Sequence, residues 1–596
     1  MTKMSGGEFI ADFLVRENVP YVFGLCGHGN VGFLDALYER RDEIKLISPR
    51  HEQTAGHMAD AYYRVRHEPA ATITSCGPGS VNMLTPLANA YLDSSAILAI
   101  TGNVPTQHFG YGAFQELYRQ NQADFPASVR PHVKRTFQAT RVEMLPAMMR
   151  QAMALTTSGR PGPVNVDVPY NLFIEEDDVD YAPSNREALA VRPGAGEEDV
   201  RAAADLLLGA ERPLIYVGNG VTISEAGAEL TTLAHTLQTP VCNLPNGMGA
   251  IDARDPLAIG LNGRNGAYQA NQAGRRCDVV LAIGARFDDR SASAWQPGGS
   301  WNIPPTKVIQ VDIDADEMGR VYPVVLGLAA DARTFLRQLL AEIARRGAPP
   351  KDRTAAWLAE IDGWRKEWEA FLAPNFATSA SPARPEGVIA DVRKVLPDDA
   401  IVVVDIGAHH NWFMQLWGAH APGTVLSAYA FGAMGFGPSG VLGAKVAAPE
   451  RACVCVCGDG GFMMTPHVLA TAVEYDIAAV WLVWNNFGWS SIRDIQLAMF
   501  QGREIGTMFY RHGENYNPDF AAMARASGVE GITVTHNKDI AGALEHAIEL
   551  GRPCLIDAHV DGDFRPILTG AHQYPPLETK EPAFGERYFP EGFGAA

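Results

Sequence analysis

Short runs rich in Val and Ile recur along this chain, each followed by a Gly-rich turn and then by a pattern rich in Ala, Leu and Glu. They include YVFGLCGHGN from Tyr21, AATITSCGPGS from Ala70, AILAITGNVP from Ala96, PLIYVGNG from Pro213 and DVVLAIGARFDD from Asp278. KVIQVDIDAD from Lys307, AIVVVDIGAHH from Ala400, CVCVCGDGG from Cys453 and AAVWLVWNNFG from Ala478 continue the series. Buried strands alternating with helices can only be accommodated by parallel sheets covered on both faces, an α/β architecture. Ligands of such sheets sit at the carboxyl ends of the strands, where these turns lie. Each turn is therefore a candidate wall of a site.

At roughly 100–200 residues per domain, 596 residues suggest three or four domains. Two polar connectors divide the chain, EEDDVDYAPSNREALAVRPGAGEED from Glu175 and a segment from Arg345 through a Trp-rich helical pattern to ATSASPARPEG near Gly387. They leave three doubly wound α/β domains, residues 1–178, 195–345 and 385–570. Residues 571–596 form a Pro- and aromatic-rich tail, read either as a flap over a site or as a frayed terminus.

The net charge of −19, without any dense basic run, excludes nucleic acid and anionic membrane as partners. The first residues lack the apolar core of a signal peptide, and no apolar run approaches the roughly 20 residues of a spanning helix. Eight cysteines without a CxxC pair predict free thiols in a reducing cytoplasm. Cys453, Cys455 and Cys457 alternate along one strand, which places all three on one face as small core residues rather than ligands.

GDGGFMMTPHVL carries the strongest chemical signal. Gly458, Gly460 and Gly461 flank Asp459 between a strand and a helix, where backbone can approach phosphate and free N–H groups face it. Asn486 follows Asp459 by 27 residues, directly after another strand. A carboxylate, an amide oxygen and a backbone carbonyl, that of Gly488, make the hard oxygen set that Mg²⁺ accepts, with phosphate completing it.

With these motifs the chain resembles the thiamine-diphosphate enzymes of the acetohydroxyacid (acetolactate) synthase type, over essentially its whole length. RHEQTAGHMADAYYR at Arg50–Arg64, TSCGPGSVN, AFQE at Ala113–Glu116, TSGRPGPVNVDVP at Thr157–Pro169, DIGAHHNW from Asp405 and GAMGFGPS from Gly432 carry the resemblance together with GDG and NN. It implies pyrimidine-binding, central FAD/ADP-type and diphosphate-binding domains. It also implies thiamine diphosphate, Mg²⁺ held by Asp459, Asn486 and Gly488, and FAD in the middle domain. The active site would lie between subunits of a homodimer or homotetramer, Glu52 from one and Asp459 from the other.

The resemblance makes Glu52 the acid that draws the cofactor's aminopyrimidine toward its imino form. It makes Met434, in a loop with Gly432, the wedge between the rings, and gives Gly407 and His409 to the diphosphate, with Ala408 where relatives often have Gln. Phe114 and Gln115 match residues that face substrate, and Arg290 matches the arginine that engages the carboxylate of an acceptor 2-oxo acid. Gly218, Gly220, Gly263, Arg286, Asp312 and Asp331 fall in motifs similar to the FAD region. Three positions depart from the synthases: His28 stands where they usually have Gly, Ile495 where they have an acceptor-selecting Trp, and Tyr170 where Lys is expected. Pyruvate decarboxylases place an acid/base Asp near His28, and trihydroxycyclohexanedione hydrolases carry a similar GHGN. A histidine there can move a proton near neutral pH, or simply bond to backbone.

The leading expectation is a thiamine-diphosphate-dependent C–C lyase/ligase acting on a small-molecule carbonyl substrate, a 2-oxo acid or 1,2-dicarbonyl. The alternatives are a cyclic 1,2-diketone hydrolase, in which His28 directs water, and a flavin-linked 2-oxo acid oxidase. The departures at Ile495 and Tyr170 count against biosynthetic acetolactate formation. A non-catalytic scaffold would require Glu52 or the GDG and NN pair to be lost, and both are present.

Overall fold

A computed structural model describes residues 2–117, 125–182, 191–347 and 349–570. Three six-stranded sheets, all parallel, follow one another along the chain. The first runs from Tyr21–Gly24 to Val164–Pro169, the second from Pro213–Val217 to Leu326–Ala329, and the third from Ile401–Val404 to Cys554–His559. With strands numbered by chain order within each sheet, the first and third read 2-1-3-4-6-5, while the middle reads 3-2-1-4-5-6. Each order reverses direction beside its first strand, and the crevice there is where open α/β sheets take ligands. The expected α/β class with three parallel sheets is what the chain forms.

Strand alternation sorts the third sheet's faces. Cys453, Cys455 and Cys457 join a core cluster with helix Glu52–Arg66, whereas Val454 and Val456 belong to the cluster on the opposite face. The three thiols are buried core residues, and no group of three or more His, Cys, Asp or Glu poised for a metal occurs among the described residues.

Helix Glu52–Arg66 crosses helix Phe436–Ala447, which joins the first and third sheets. The crossing is close because Gly443 has no side chain: a Cβ there would sit 2.0 Å from the carbonyl oxygen of Met58. One buried ionic cluster links all three domains. Arg64 pairs with Asp60 at 2.7 Å and Asp93 at 3.2 Å, and donates to the carbonyl of Ser427 at 2.7 Å. Asn246 of the middle domain donates to Asp93 at 3.1 Å.

Both predicted connectors carry ordered structure. Glu176–Val179 forms an antiparallel strand with Thr2–Ser5, because its alternation buries Val179 while its acidic residues face outward. The Trp-rich segment is a helix, Ala355–Phe376, whose Trp357 and Ile361 complete the middle domain's core and whose Trp368 packs with Tyr268. The tail at 571–596 lies outside the described residues.

Candidate active site

In the third sheet the strand order reverses between Ile401–Val404 and Cys453–Gly458. The turns leaving these two strands, Ile406–His409 and Gly458–Gly461, face each other across a cavity of about 420 Å³. Met434, Asn486, Gly488 and Arg290 also line it. Asp459 is buried: its Oδ1 accepts the N–H of Gly460 at 2.8 Å, and its Oδ2 accepts from Gly488 at 3.1 Å and from the amide of Asn517 at 2.8 Å. Burial nonetheless pushes its carboxyl up to about 6, outweighing the hydrogen bonds it accepts. A divalent ion beside Asp459, Asn486 and Gly488 would supply compensating charge, so the donor set fits Mg²⁺.

On the neighbouring turn His409 is buried: burial lowers its pKa to about 4, its ring donates to the backbone carbonyl of Asp405, and Nε2 has no hydrogen-bond partner. Glycine is obligatory at two turns of the cradle: a Cβ on Gly407 would lie 2.7 Å from the His409 ring, and one on Gly460 would lie 2.2 Å from the indole of Trp489. Gly461 approaches the carboxylate of Asp405, which is pushed up to about 6 by burial and accepts backbone N–H groups of Gly435 and Gly437. Gly432 lies apart from this cavity, on the middle-domain one.

The first sheet's reversal holds the other predicted residues. His28 follows the first strand and Cys76 the third, and Cys76 meets both His28 and Gln115: His28 Nε2 is 3.5 Å from the Cys76 sulfur, which is 3.6 Å from Gln115 Oε1. Phe114, 78% exposed, lies against His28 with ring centroids 5.6 Å apart. Glu52, the first residue of its helix, accepts the Asn82 amide at 2.9 Å and faces Gly79 of the same glycine turn. None of the residues lining the diphosphate-side cavity belongs to this first domain.

The middle sheet reverses between Pro213–Val217 and Val279–Ile283, beside a cavity of about 720 Å³ lined by Gly220, Arg286, Asp312 and Asp331. Arg160, Arg192 and Arg320 join Arg286 there among carboxylates of the same cavity, Arg160 and Arg320 pairing with Glu317 and Arg192 with Asp331. Burial pushes Asp312 up to about 6. Asp331 caps helix Ala332–Arg346 through the Thr334 N–H. Gly218 and Gly263 do not line this cavity. Their missing side chains admit backbone instead, the Gly284 carbonyl at 2.2 Å and the Arg290 carbonyl at 2.6 Å of where a Cβ would stand. Arg290 faces both cavities; its guanidinium donates to Asn411 and stacks on Tyr429, while Asp289 pairs with Arg264 at 3.3 Å.

Cys76, Asn82, Asp405 and Asn517 escaped the sequence reading. Asn517, 58 residues beyond Asp459, carries no local signature, and Cys76 stands as one thiol in a glycine turn.

Three crevices stand at the order reversals of three parallel sheets, and comparison with known proteins identifies the class. Models of the thiamine pyrophosphate enzymes match residues 4–124 (N-terminal TPP binding domain), 200–339 (central domain) and 405–558 (C-terminal TPP binding domain). The chain belongs to this family of thiamine-pyrophosphate-dependent enzymes. Within it, the chain is 33% identical to a probable acetolactate synthase large subunit of Methanocaldococcus jannaschii, over 94% of this chain and 92% of that one. It is 31% identical to acetolactate synthase isozyme 3 large subunit of Escherichia coli, over 94% and 96% of the two chains. The mitochondrial acetolactate synthase catalytic subunit of Saccharomyces cerevisiae is also 31% identical, over 94% and 81%. None of these three is a diketone hydrolase or an oxidase by name.

Proposed function

We propose that this chain decarboxylates a 2-oxo acid and joins the resulting acyl unit to a carbonyl acceptor, as the names of its relatives describe for acetolactate. The observation that carries the reading is one cavity lined both by a buried Asp459, its carboxyl raised by burial, and by a buried His409 whose Nε2 has no hydrogen-bond partner. Thiamine diphosphate, when bound, supplies a nucleophilic carbon and an electron sink. Asp459, Asn486 and the Gly488 carbonyl would hold Mg²⁺; His409 and the Gly407 and Gly458–Gly461 turns would bind the diphosphate. Glu52 would hold a proton at the aminopyrimidine, Met434 would set the ring geometry, and Arg290 would orient the carboxylate of the acceptor. Ile495 on the cavity wall and Tyr170 give an acceptor preference different from that of acetolactate synthases.

The arginine-lined middle cavity suits the pyrophosphate of FAD, which Gly220, Arg286 and Asp312 would flank. Glu52, His28 and Gln115 stand apart from the diphosphate cavity of their own chain. Two copies exchanging these halves complete the site, so we infer a homodimer at least. Eight free thiols, seven of them buried, fit a reducing cytoplasm. Among the described residues no helix is long and apolar enough to cross a membrane.

The deciding experiment supplies purified protein with thiamine diphosphate, Mg²⁺ and either pyruvate or cyclohexane-1,2-dione. Acetoin or acetolactate from pyruvate is expected; a ring-opened acid from the dione, with no carboligation product, would replace this reading with hydrolysis.

A further inference from the structure

At the reversal of the first sheet, two side chains from separate segments converge on the sulfur of a third. Cys76 is 2% exposed, with His28 Nε2 at 3.5 Å and Gln115 Oε1 at 3.6 Å. Gln115 reaches the thiol from a backbone at φ +66°, a left-handed conformation that a non-glycine residue keeps only where its surroundings enforce it. Gly77, itself at φ +59°, leaves the necessary space: a Cβ there would stand 2.8 Å from the Gln115 Cβ. The Glu116 carboxylate pins the loop by accepting the N–H groups of Gly112 and Ala113 at 2.7 and 3.1 Å.

A thiol has one proton to give, and a carbonyl oxygen can only accept. Burial pushes the Cys76 thiol up, so it keeps that proton at neutral pH. The S–H therefore goes to Gln115 Oε1. The sulfur lone pairs are left to the Ser75 hydroxyl, 4.0 Å away, and to His28 Nε2, which meets them as a donor. Everything facing outward follows. Gln115 turns its NH₂, a pure donor, away from the sulfur, and His28 turns its Nδ1 away as well; neither atom has a hydrogen-bond partner among the described residues.

We propose that Cys76 is a positioning residue that sets the polarity of the substrate-facing crevice, so that Gln115 donates to a substrate oxygen while His28 holds its Nδ1 edge toward a substrate or water hydroxyl. The proposal rests on the reading that this crevice faces the reacting 2-oxo acid. A thiol that merely fills space would leave both side chains free to flip.

Two measurements on the full-length protein separate these cases. The Raman S–H band of Cys76, isolated by subtracting the spectrum of Cys76→Ala, needs no substrate. It is expected at lower frequency in the wild type than in Gln115→Met, whose side chain offers no carbonyl; an unchanged band overturns the proposal. In the kinetic arm, Cys76→Ser keeps a donor and lone pairs, while Cys76→Val keeps volume and loses both. Serine is expected to hold kcat/KM for pyruvate within about threefold of wild type, and valine to lower it about fivefold or more, chiefly through kcat. Valine performing as well as serine would mean packing alone, and overturns the proposal. If the wild type turns over no 2-oxo acid, the functional reading fails and the Raman result still decides the hydrogen bond.

Discussion

Single residues in this chain are tuned by burial more than by charge partners. His57 and His409 are both fully buried and both lowered to about 4, with no hydrogen-bond partner for either ring nitrogen of His57. A base whose folded pKa lies below its unfolded 6.5 binds protons better when unfolded, so its folding free energy falls as pH drops from about 6.5 toward 4. Each histidine is expected to cost roughly 2 kcal/mol at pH 5 relative to neutral pH. Urea midpoints at pH 7 and pH 5 check this: His57→Leu should remove about half of the pair's pH dependence, and an unchanged slope would assign acid sensitivity elsewhere. At the candidate site, Glu52→Gln is expected to slow proton exchange at the thiazolium carbon tenfold or more, on the order of general acid–base contributions. NMR of the bound cofactor in D₂O measures it, and wild-type exchange in the variant would remove Glu52 from that role. Residues in glycine turns after strands were legible in the sequence, because strand, turn and helix onset are local patterns. Asn82 and Asn517 were not: each touches its carboxylate from a distant segment, and no spacing rule encodes a contact that only the tertiary fold creates.

Elements were legible where periodicity was long, and less so where a polar stretch hid a structural role. Glu176–Val179 read as linker because three of its four residues are acidic, yet it pairs along Thr2–Ser5 and ties down the amino-terminal strand. The helix crossing at Gly443 tests packing directly. A methyl group there has no free space against the Met58 carbonyl, so Gly443→Ala forces the two helices apart. A loss of roughly 1–3 kcal/mol is expected, seen as a lower Tm, whereas Gly542→Ala on the open helix face, with nothing within 4 Å, should be neutral or mildly stabilising. Equal Tm values for the two variants would show that the crossing tolerates expansion.

At the scale of the whole molecule, the Asp60–Arg64–Asp93 cluster is where the three domains are fastened, with Ser427 and Asn246 supplying the third and middle contributions. Arg64→Met leaves two buried carboxylates without their cation, a change worth about 3–5 kcal/mol. Calorimetry is expected to show the single transition split or shifted well down; an unaltered endotherm would mean that hydrophobic contacts alone join the domains. The strand orders add something that stability does not. The first and third sheets share the order 2-1-3-4-6-5, so the turn holding His28 and the turn holding Gly407 occupy equivalent places, as do Ser75–Gly79 and Gly458–Gly461. One strand order therefore stands twice in this polypeptide, and the crevice it creates is lined differently each time, by glycine turns around Asp459 in the third sheet and by His28, Cys76 and Gln115 in the first.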